Sequence, residues 1–210
     1  MSRSLSMFSC ALAIACGVDG GAATGDDPSA TTSADSSTSE GGDASSSGVG
    51  ESTAADSTGA AANPYDCVES DFMVVAPLAG PGYDPEAGLV EPQAQYVVST
   101  TVALPRPEAS ELFGQLVGAA ATEAAQSDGF VAASFAVEPH CGFNRTLTVW
   151  RDEASMMAFV LGPAHAQAIA QAPQAVSTGQ VTHFTIDAAQ MPIEWDAALA
   201  ELADVTPFVY

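Results

Sequence analysis

Chemistry beyond hydrogen bonding rests here on few residues: three histidines, four cysteines and four arginines in a chain of 210. His140, His165 and His183, with Cys141, are the soft donors beyond the N-terminal third, and no two share a metal-ligand spacing on one element. No metal site is expected. Neither Cys67 nor Cys141 belongs to a C-x-x-C pair, which argues against redox catalysis and structural zinc. There is no G-x-S-x-G, P-loop or dinucleotide fingerprint, so hydrolase, kinase and Rossmann readings have no support. The four cations, Arg3, Arg106, Arg145 and Arg151, face 26 acids for a net charge of −22. Such a chain cannot replace the counterions condensed on a phosphate backbone, and nucleic acid is excluded as a partner. Arg145 and Arg151 are expected to pair with nearby carboxylates such as Asp152 or Glu153.

Arg3 supplies a minimal basic n-region, residues 5 to 15 an apolar h-region too short to span a bilayer, and Ala13-Ile14-Ala15 a small-residue cleavage site. The run ending at Cys16 resembles the bacterial lipobox, with Ala13 where leucine is commonest. The resemblance implies diacylation of Cys16 after removal of residues 1–15; the alternative is an ordinary signal peptide cut after Ala15. Residues 16–63 then form an acidic tether of Ser, Thr, Gly, Ala and Asp/Glu without an aromatic or basic side chain, unable to bury enough apolar surface to fold. A flexible spacer of this length separates its ends by roughly 35–40 Å. The expected location is outside the cytoplasm, on the cell membrane or outer membrane and facing the periplasm or the cell surface. With Cys10 removed and Cys16 acylated, Cys67 and Cys141 remain as one pair, expected to form a disulfide in an oxidising compartment; two separate thiols are the alternative.

The elements that must position these residues begin at Pro64. Residues 72–76 read as a short strand, and 77–93, broken by Pro77, Gly80-Pro81-Gly82, Pro85 and Pro92, as an extended loop, so that 64–94 form an N-terminal extension. From Tyr96 to Leu104 the apolar positions alternate, a half-buried strand. Pro107 opens a helix carrying Leu112, Leu116, Ala120 and Ala124, and Asp128-Gly129 turns the chain. Residues 130–137 and 143–150 form a hairpin, Asp152 caps a helix to Leu161, and Pro163 starts a second piece bearing His165 and Ile169 on one face. Residues 181–186 are the fourth strand, and Pro192 opens a last helix with Trp195, Leu199 and Leu202 on one side. The order β-α-β-β-α-β predicts an α+β fold over 95–210: a ferredoxin-like antiparallel sheet with helices on one face and an extra C-terminal helix.

The stretch from Asn144 to Ala154, followed by Ala158-Phe159-Val160 and Ala164-His165, resembles the dimeric α/β-barrel superfamily, within it the antibiotic-biosynthesis-monooxygenase-like domains and a related bacterial family of unknown function. Residues 191–198 resemble that family's proline-initiated last helix. The resemblance covers roughly residues 95 to 205. It implies a homodimer with sheets packed face to face, and a pocket between sheet and helices for which Trp150, His165, Asn144, Arg145, Tyr96 and His183 are the candidate lining residues. Each has a plainer reading. Trp150 is more readily a core anchor than a substrate platform, His165 a helix-packing residue, and His183 points into either the pocket or the dimer sheet. The haem-degrading members of the superfamily carry their axial histidine further along, near Ile169, so no cofactor is expected.

Two functions follow as expectations. One is a membrane-anchored lipoprotein whose domain binds a small apolar or aromatic ligand or simply dimerises. The other is a cofactor-independent monooxygenase-like enzyme acting on a small aromatic substrate. The first is favoured because no acid–base pair is visible. The homodimer expectation has a built-in competitor, because the proline-rich segment 77–93 could cover the open sheet face in place of a partner. The anchor is directly testable: Cys16→Ser should move the protein from the membrane fraction to the soluble exported fraction, and a variant that still sediments with membranes rules out lipidation as the anchor.

Overall fold

The computed structural model describes residues 63–210, so the leader, Cys16 and the tether up to residue 62 lie outside the described residues. Pro64–Asp66 is a single 3-10 turn in which the Asn63 side-chain carbonyl accepts the Tyr65 backbone N–H at 3.2 Å. The domain proper runs Cys67–Tyr210. Its strands are β1 (Met73–Ala79), β2 (Tyr83–Asp84), β3 (Gly88–Leu89), β4 (Gln95–Pro105), β5 (Phe130–Glu138), β6 (Phe143–Trp150), β7 (Val176–Asp187) and β8 (Phe208–Val209). Its helices are α1 (Ser110–Gln126), α2 (Glu153–Val160), α3 (Pro163–Ala175) and α4 (Trp195–Ala200).

The main sheet has the order β1-β5-β6-β4-β7-β8, every pair antiparallel. Its inner four strands, β5-β6-β4-β7, carry the ferredoxin-like order, and the fold is the α+β class expected from the sequence. Local chemistry accounts for the element ends. The Asp152 carboxylate accepts the Ser155 backbone N–H at 2.7 Å and starts α2, and Pro163 stands in the first turn of α3. Gly129, at φ 75°, makes the turn into β5 in a left-handed conformation that side chains disfavour.

Some boundaries differ from expectation. β1 continues through Pro77 to Ala79, which an edge strand tolerates because its outer N–H groups need no partner. Segment 77–93 is not one loop: it also contains the β2–β3 hairpin. α3 passes directly into β7 at Val176, five residues earlier than the periodicity suggests, because small and polar residues at 177–180 mask the strand pattern. The last helix begins at Trp195 rather than at Pro192, which follows a cis peptide bond.

Strand register divides the sheet into two unlike faces. On one lie Tyr96, Val98, Thr100 and Val102 of β4, Leu147 and Val149 of β6, Ala132, Ser134, Ala136 and Glu138 of β5, and Ile186 of β7; all are buried. Helices α1, α2 and α3 pack against the other face, where Ala124 and Met156 meet Val97, Ala133 and Trp150, and Leu116 meets Ala103. What buries the first face is therefore not a helix of the ferredoxin-like core. It is the chain on either side of that core: Leu78, Tyr83 and Leu89 from the N-terminal side, and Met191, Ile193, Trp195, Ala198 and Leu199 from the C-terminal side. The sequence expectation that a second copy covers this face is thus replaced by its stated competitor, with the C-terminal segment as an unanticipated second half of the cover.

Polar clamps hold the cover down. Cys67 and Cys141 form the expected disulfide, with Cα atoms 5.9 Å apart. Closing a segment of that length contributes about 4 kcal/mol in the chain-entropy model. Glu138 is fully buried, and one carboxylate oxygen accepts the backbone N–H groups of Ser70 and Asp71 at 2.8 and 3.0 Å. Trp195 donates its indole N–H to the Ser134 hydroxyl at 3.0 Å; that hydroxyl donates to the Ala76 carbonyl at 2.8 Å, and Phe72 meets the indole edge-on. The two cover segments are therefore joined through Ser134. Gly80 permits the closest approach, since a Cβ there would fall 2.3 Å from the Val131 carbonyl oxygen. Trp195→Ala should cost about 3–5 kcal/mol in urea denaturation, the range for an emptied aromatic core site; a cost below about 1 kcal/mol would mean that the C-terminal segment is not part of the core.

Candidate functional site

The helix-side face carries a row of half-buried polar residues. By register, Val97, Ser99, Thr101 and Ala103 of β4 lie beside Trp150, Thr148, Thr146 and Asn144 of β6, and beside Thr185, His183, Val181 and Gly179 of β7. Ser99, Thr101, Asn144, Thr146 and Thr148 are only half-buried, although they sit in the middle of the sheet. The positions facing the other way on the same strands are sealed. Phe135 and Val137 of β5 flank the row and are also half-buried. The result is a hydroxyl-rich strip with apolar margins, on the face against which the helices pack.

At one end of the strip stands an aromatic column. Trp150 is wholly enclosed: its ring stacks on Phe159 at 5.1 Å, meets Phe130 edge-on at 5.2 Å, and gives its N–H to the Thr148 hydroxyl at 2.9 Å. Phe159 in turn meets His165 edge-on at 4.8 Å. Trp150 is the core anchor, and His165 reaches it only through Phe159.

His165 is half-buried, and its Nδ1 lies 3.1 Å from the Val160 carbonyl. A carbonyl only accepts, so Nδ1 carries the proton in the neutral ring and Nε2 keeps a lone pair. Burial pushes the imidazole below its ordinary value, outweighing the opposing pull of the Val160 carbonyl and of Glu123. Glu123 caps the start of α3, one carboxylate oxygen accepting the backbone N–H groups of Ala164 and His165, each at 3.0 Å. It also lines an open groove along α1 with Gly118, Ala119, Thr122, Gln126 and Ser127.

The six residues proposed for a pocket do not converge. Trp150, Asn144 and His183 share the helix-side face, and His165 joins them from α3. His183 is exposed, with Nε2 3.7 Å from a carboxylate oxygen of Glu153. Tyr96 and Arg145 belong to the opposite, sealed face. The Tyr96 hydroxyl accepts the Gln93 backbone N–H at 3.0 Å and anchors the end of the N-terminal cover. Arg145 pairs with Glu69 and lies over the Phe72 and Phe143 rings, 5.5 and 5.6 Å from their centroids. The expected local pairs with Asp152 and Glu153 do not form, because both arginines reach back to the N-terminal cover instead: Arg145 to Glu69 and Arg151 to Glu91. Strand alternation could have found the split, since Arg145 and Thr146 must point to opposite sides.

Glu138 and Glu123 are the working carboxylates that residue-type reasoning passed over. Glu138 stands two residues beyond Ala136 and four beyond Ser134, in phase with a buried face, which is the one signal it gave. Among the described residues no group of three or more His, Cys, Asp and Glu side chains is placed to hold a metal ion, and no helix is long and apolar enough to cross a membrane.

No family model matches this chain, and no curated protein matches it by sequence. Among solved structures, it is similar to a candidate monooxygenase from Lactobacillus acidophilus NCFM at 13% identity, over 47% of this chain and 47% of that one, with a TM-score of 0.41. It is also similar to Rv0793 from Mycobacterium tuberculosis, at 18% identity over 43% of this chain and 92% of that one, with a TM-score of 0.39. A third is the N63A mutant of SnoaB, a cofactor-independent oxygenase from Streptomyces nogalater: 14% identity over 49% of this chain and 100% of that one, with a TM-score of 0.38. The chain spans about half the length of the Lactobacillus protein. Likeness at this level adds nothing to the fold beyond the strand order itself, and the activities of these proteins are not carried over by it.

Proposed function

We propose that the chain is an exported lipoprotein, anchored through Cys16, that presents a ligand-binding α+β module at the end of a flexible tether. The ligand class is a small apolar or aromatic molecule carrying an oxygen that the strip of hydroxyls can bind. The observation that carries this reading is the half-buried row Ser99, Thr101, Thr146, Thr148 and Asn144. Hydrophobic packing alone would fill mid-sheet positions beneath helices with Val, Ile or Leu. Hydroxyl and amide side chains there give a ligand's oxygen a partner, while Phe135 and Val137 supply apolar contact. The disulfide supports export, since such a bond persists in oxidising compartments.

The second reading is a cofactor-independent oxygenase. It is favoured by one feature, His165, a neutral imidazole whose tautomer leaves Nε2 free as a base. The binding module ranks first because the aromatic column, not open space, lies between His165 and the strip.

Titration with 1-naphthol, a small hydroxylated aromatic, should produce a saturable change in tryptophan emission. Thr146→Leu, which fills the strip, should weaken that binding by about tenfold, equivalent to about 1.4 kcal/mol. Absence of saturation in the wild type, or unchanged affinity in the variant, sinks the reading. His165 makes a separate, pH-dependent prediction. The unfolded chain takes up a proton as pH falls through about 6.5, whereas the folded chain does so only at lower pH. Stability is therefore full above that value and declines below it. His165→Gln should lose this decline in denaturation curves recorded on either side of pH 6.5, while the losses tied to the depressed Asp84 and Asp152 carboxylates, which set in as pH falls through the ordinary carboxylate range, should persist.

A further inference from the structure

Residues 154 to 186 contain no Asp, Glu, Lys or Arg, in a chain whose net charge is −22. They form most of α2 and all of α3, and they reach to within one residue of the end of β7. The outer face of a surface helix is normally polar or charged, and α1 follows that rule with Glu111, Gln115, Thr122 and Gln126 exposed. α2 and α3 do not. On α2, Ala154, Met157, Ala158 and Leu161 stand at i, i+3, i+4 and i+7, and all four are exposed, Leu161 to 76%. On α3 the exposed row is Ala166, Ile169, Ala170 and Pro173, with Ile169 at 53%. Three of the four exposed residues of α2, Ala154, Met157 and Ala158, are apolar, where a surface helix ordinarily turns polar side chains to water.

We infer that the exposed α2–α3 face is the docking surface for a second copy of this chain. Charge selects the occupant. A basic partner would be drawn to the acidic surface everywhere else and would find here only Glu153, in the first turn of α2. A bilayer surface is disfavoured because helices that lie on membranes carry Lys and Arg on their polar flanks, and α2 and α3 have none. Two molecules this acidic repel each other over most of their surfaces. This face, with Glu153 as its single charge, is where they approach at least electrostatic cost, and it is chemically its own complement: the small Ala154 and Ala158 give room to Met157 and Leu161 of the opposing copy, as a two-fold interface requires. The stripes run along about 12 and 20 Å of helix. This surface lies on the helix side of the sheet, not on the face that the chain covers for itself, and the inference does not depend on the ligand-binding reading.

Sedimentation velocity on the full chain carrying Cys16→Ser, free of lipid, tests it. A monomer–dimer equilibrium is expected, with the dimer fraction rising as sodium chloride is raised from about 0.05 to about 0.5 M, because screening weakens the repulsion between copies. The double variant Leu161→Glu/Ile169→Glu should remain monomeric at every salt concentration with an unchanged melting temperature, since both side chains are exposed. Val209→Glu, at an exposed position on β8 outside the face, should dimerise as the parent does. If the double variant melts early, Met157→Glu alone places a carboxylate in the same face and should also be monomeric. A parent that is monomeric throughout, or a dimer that survives in the α2–α3 variants, or one lost equally in Val209→Glu, overturns the inference. So does a parent that stays monomeric and binds vesicles of neutral phospholipid, which would assign the face to a lipid surface.

Discussion

Everything in this domain depends on how the second face of an antiparallel sheet is kept from water. Helices can cover only the side on which their crossovers place them, and the side opposite carries Tyr96, Val98, Leu147, Val149 and Ile186. Left open, it would be a patch larger than soluble chains ordinarily expose. Here the chain supplies its own cover from both ends, and the specific polar contacts follow from that choice. Backbone brought onto a buried face needs partners for its N–H groups, which is why a carboxylate as deeply placed as Glu138 is tolerated: it takes two N–H groups that would otherwise be unsatisfied. Arg145 is tolerated for the matching reason, lying between Glu69 and two aromatic rings.

The same choice changes how the helix side should be viewed. With one face sealed, any exchange with small molecules or partners is directed to the other side. There the structure offers two surfaces of different character: a hydroxyl-bearing strip on the sheet, and a largely apolar outer helix face. The aromatic column of Phe130, Trp150, Phe159 and His165 stands between the sheet and the start of α3, so a change at the histidine has a packed route to the strand that carries Thr148 and Asn144.

Much of the ferredoxin-like core was legible in the sequence. The alternation from Tyr96 to Leu104, the Asp128-Gly129 turn, the capping Asp152 and the break at Gly162-Pro163 are local signals, and each stands where its chemistry requires. The disulfide was also legible, because only one pair of cysteines remains once export is assumed. The pairing partners of Arg145 and Arg151 were not, because Glu69 and Glu91 are far away in sequence and only the fold brings them close. The C-terminal half of the cover was missed for a similar reason. Trp195, Leu199 and Leu202 marked an amphipathic helix, but nothing local says which face of the sheet it seeks. The candidate residues divide between the two faces because residue type carries no strand phase, which sets Tyr96 and Arg145 on one side and Trp150 and Asn144 on the other.

The position of the disulfide has a mechanical consequence. Cys67 is the first residue of the domain and Cys141 lies in the turn between β5 and β6, so tension on the chain ahead of Cys67 passes through a covalent bond into the middle of the sheet. The edge strand β1, which follows Cys67 and pairs with another strand on one side alone, is left off the load path. Without the bridge, the same pull would peel β1 away one hydrogen bond at a time; with it, the load falls on β5 and β6, strands paired on both sides.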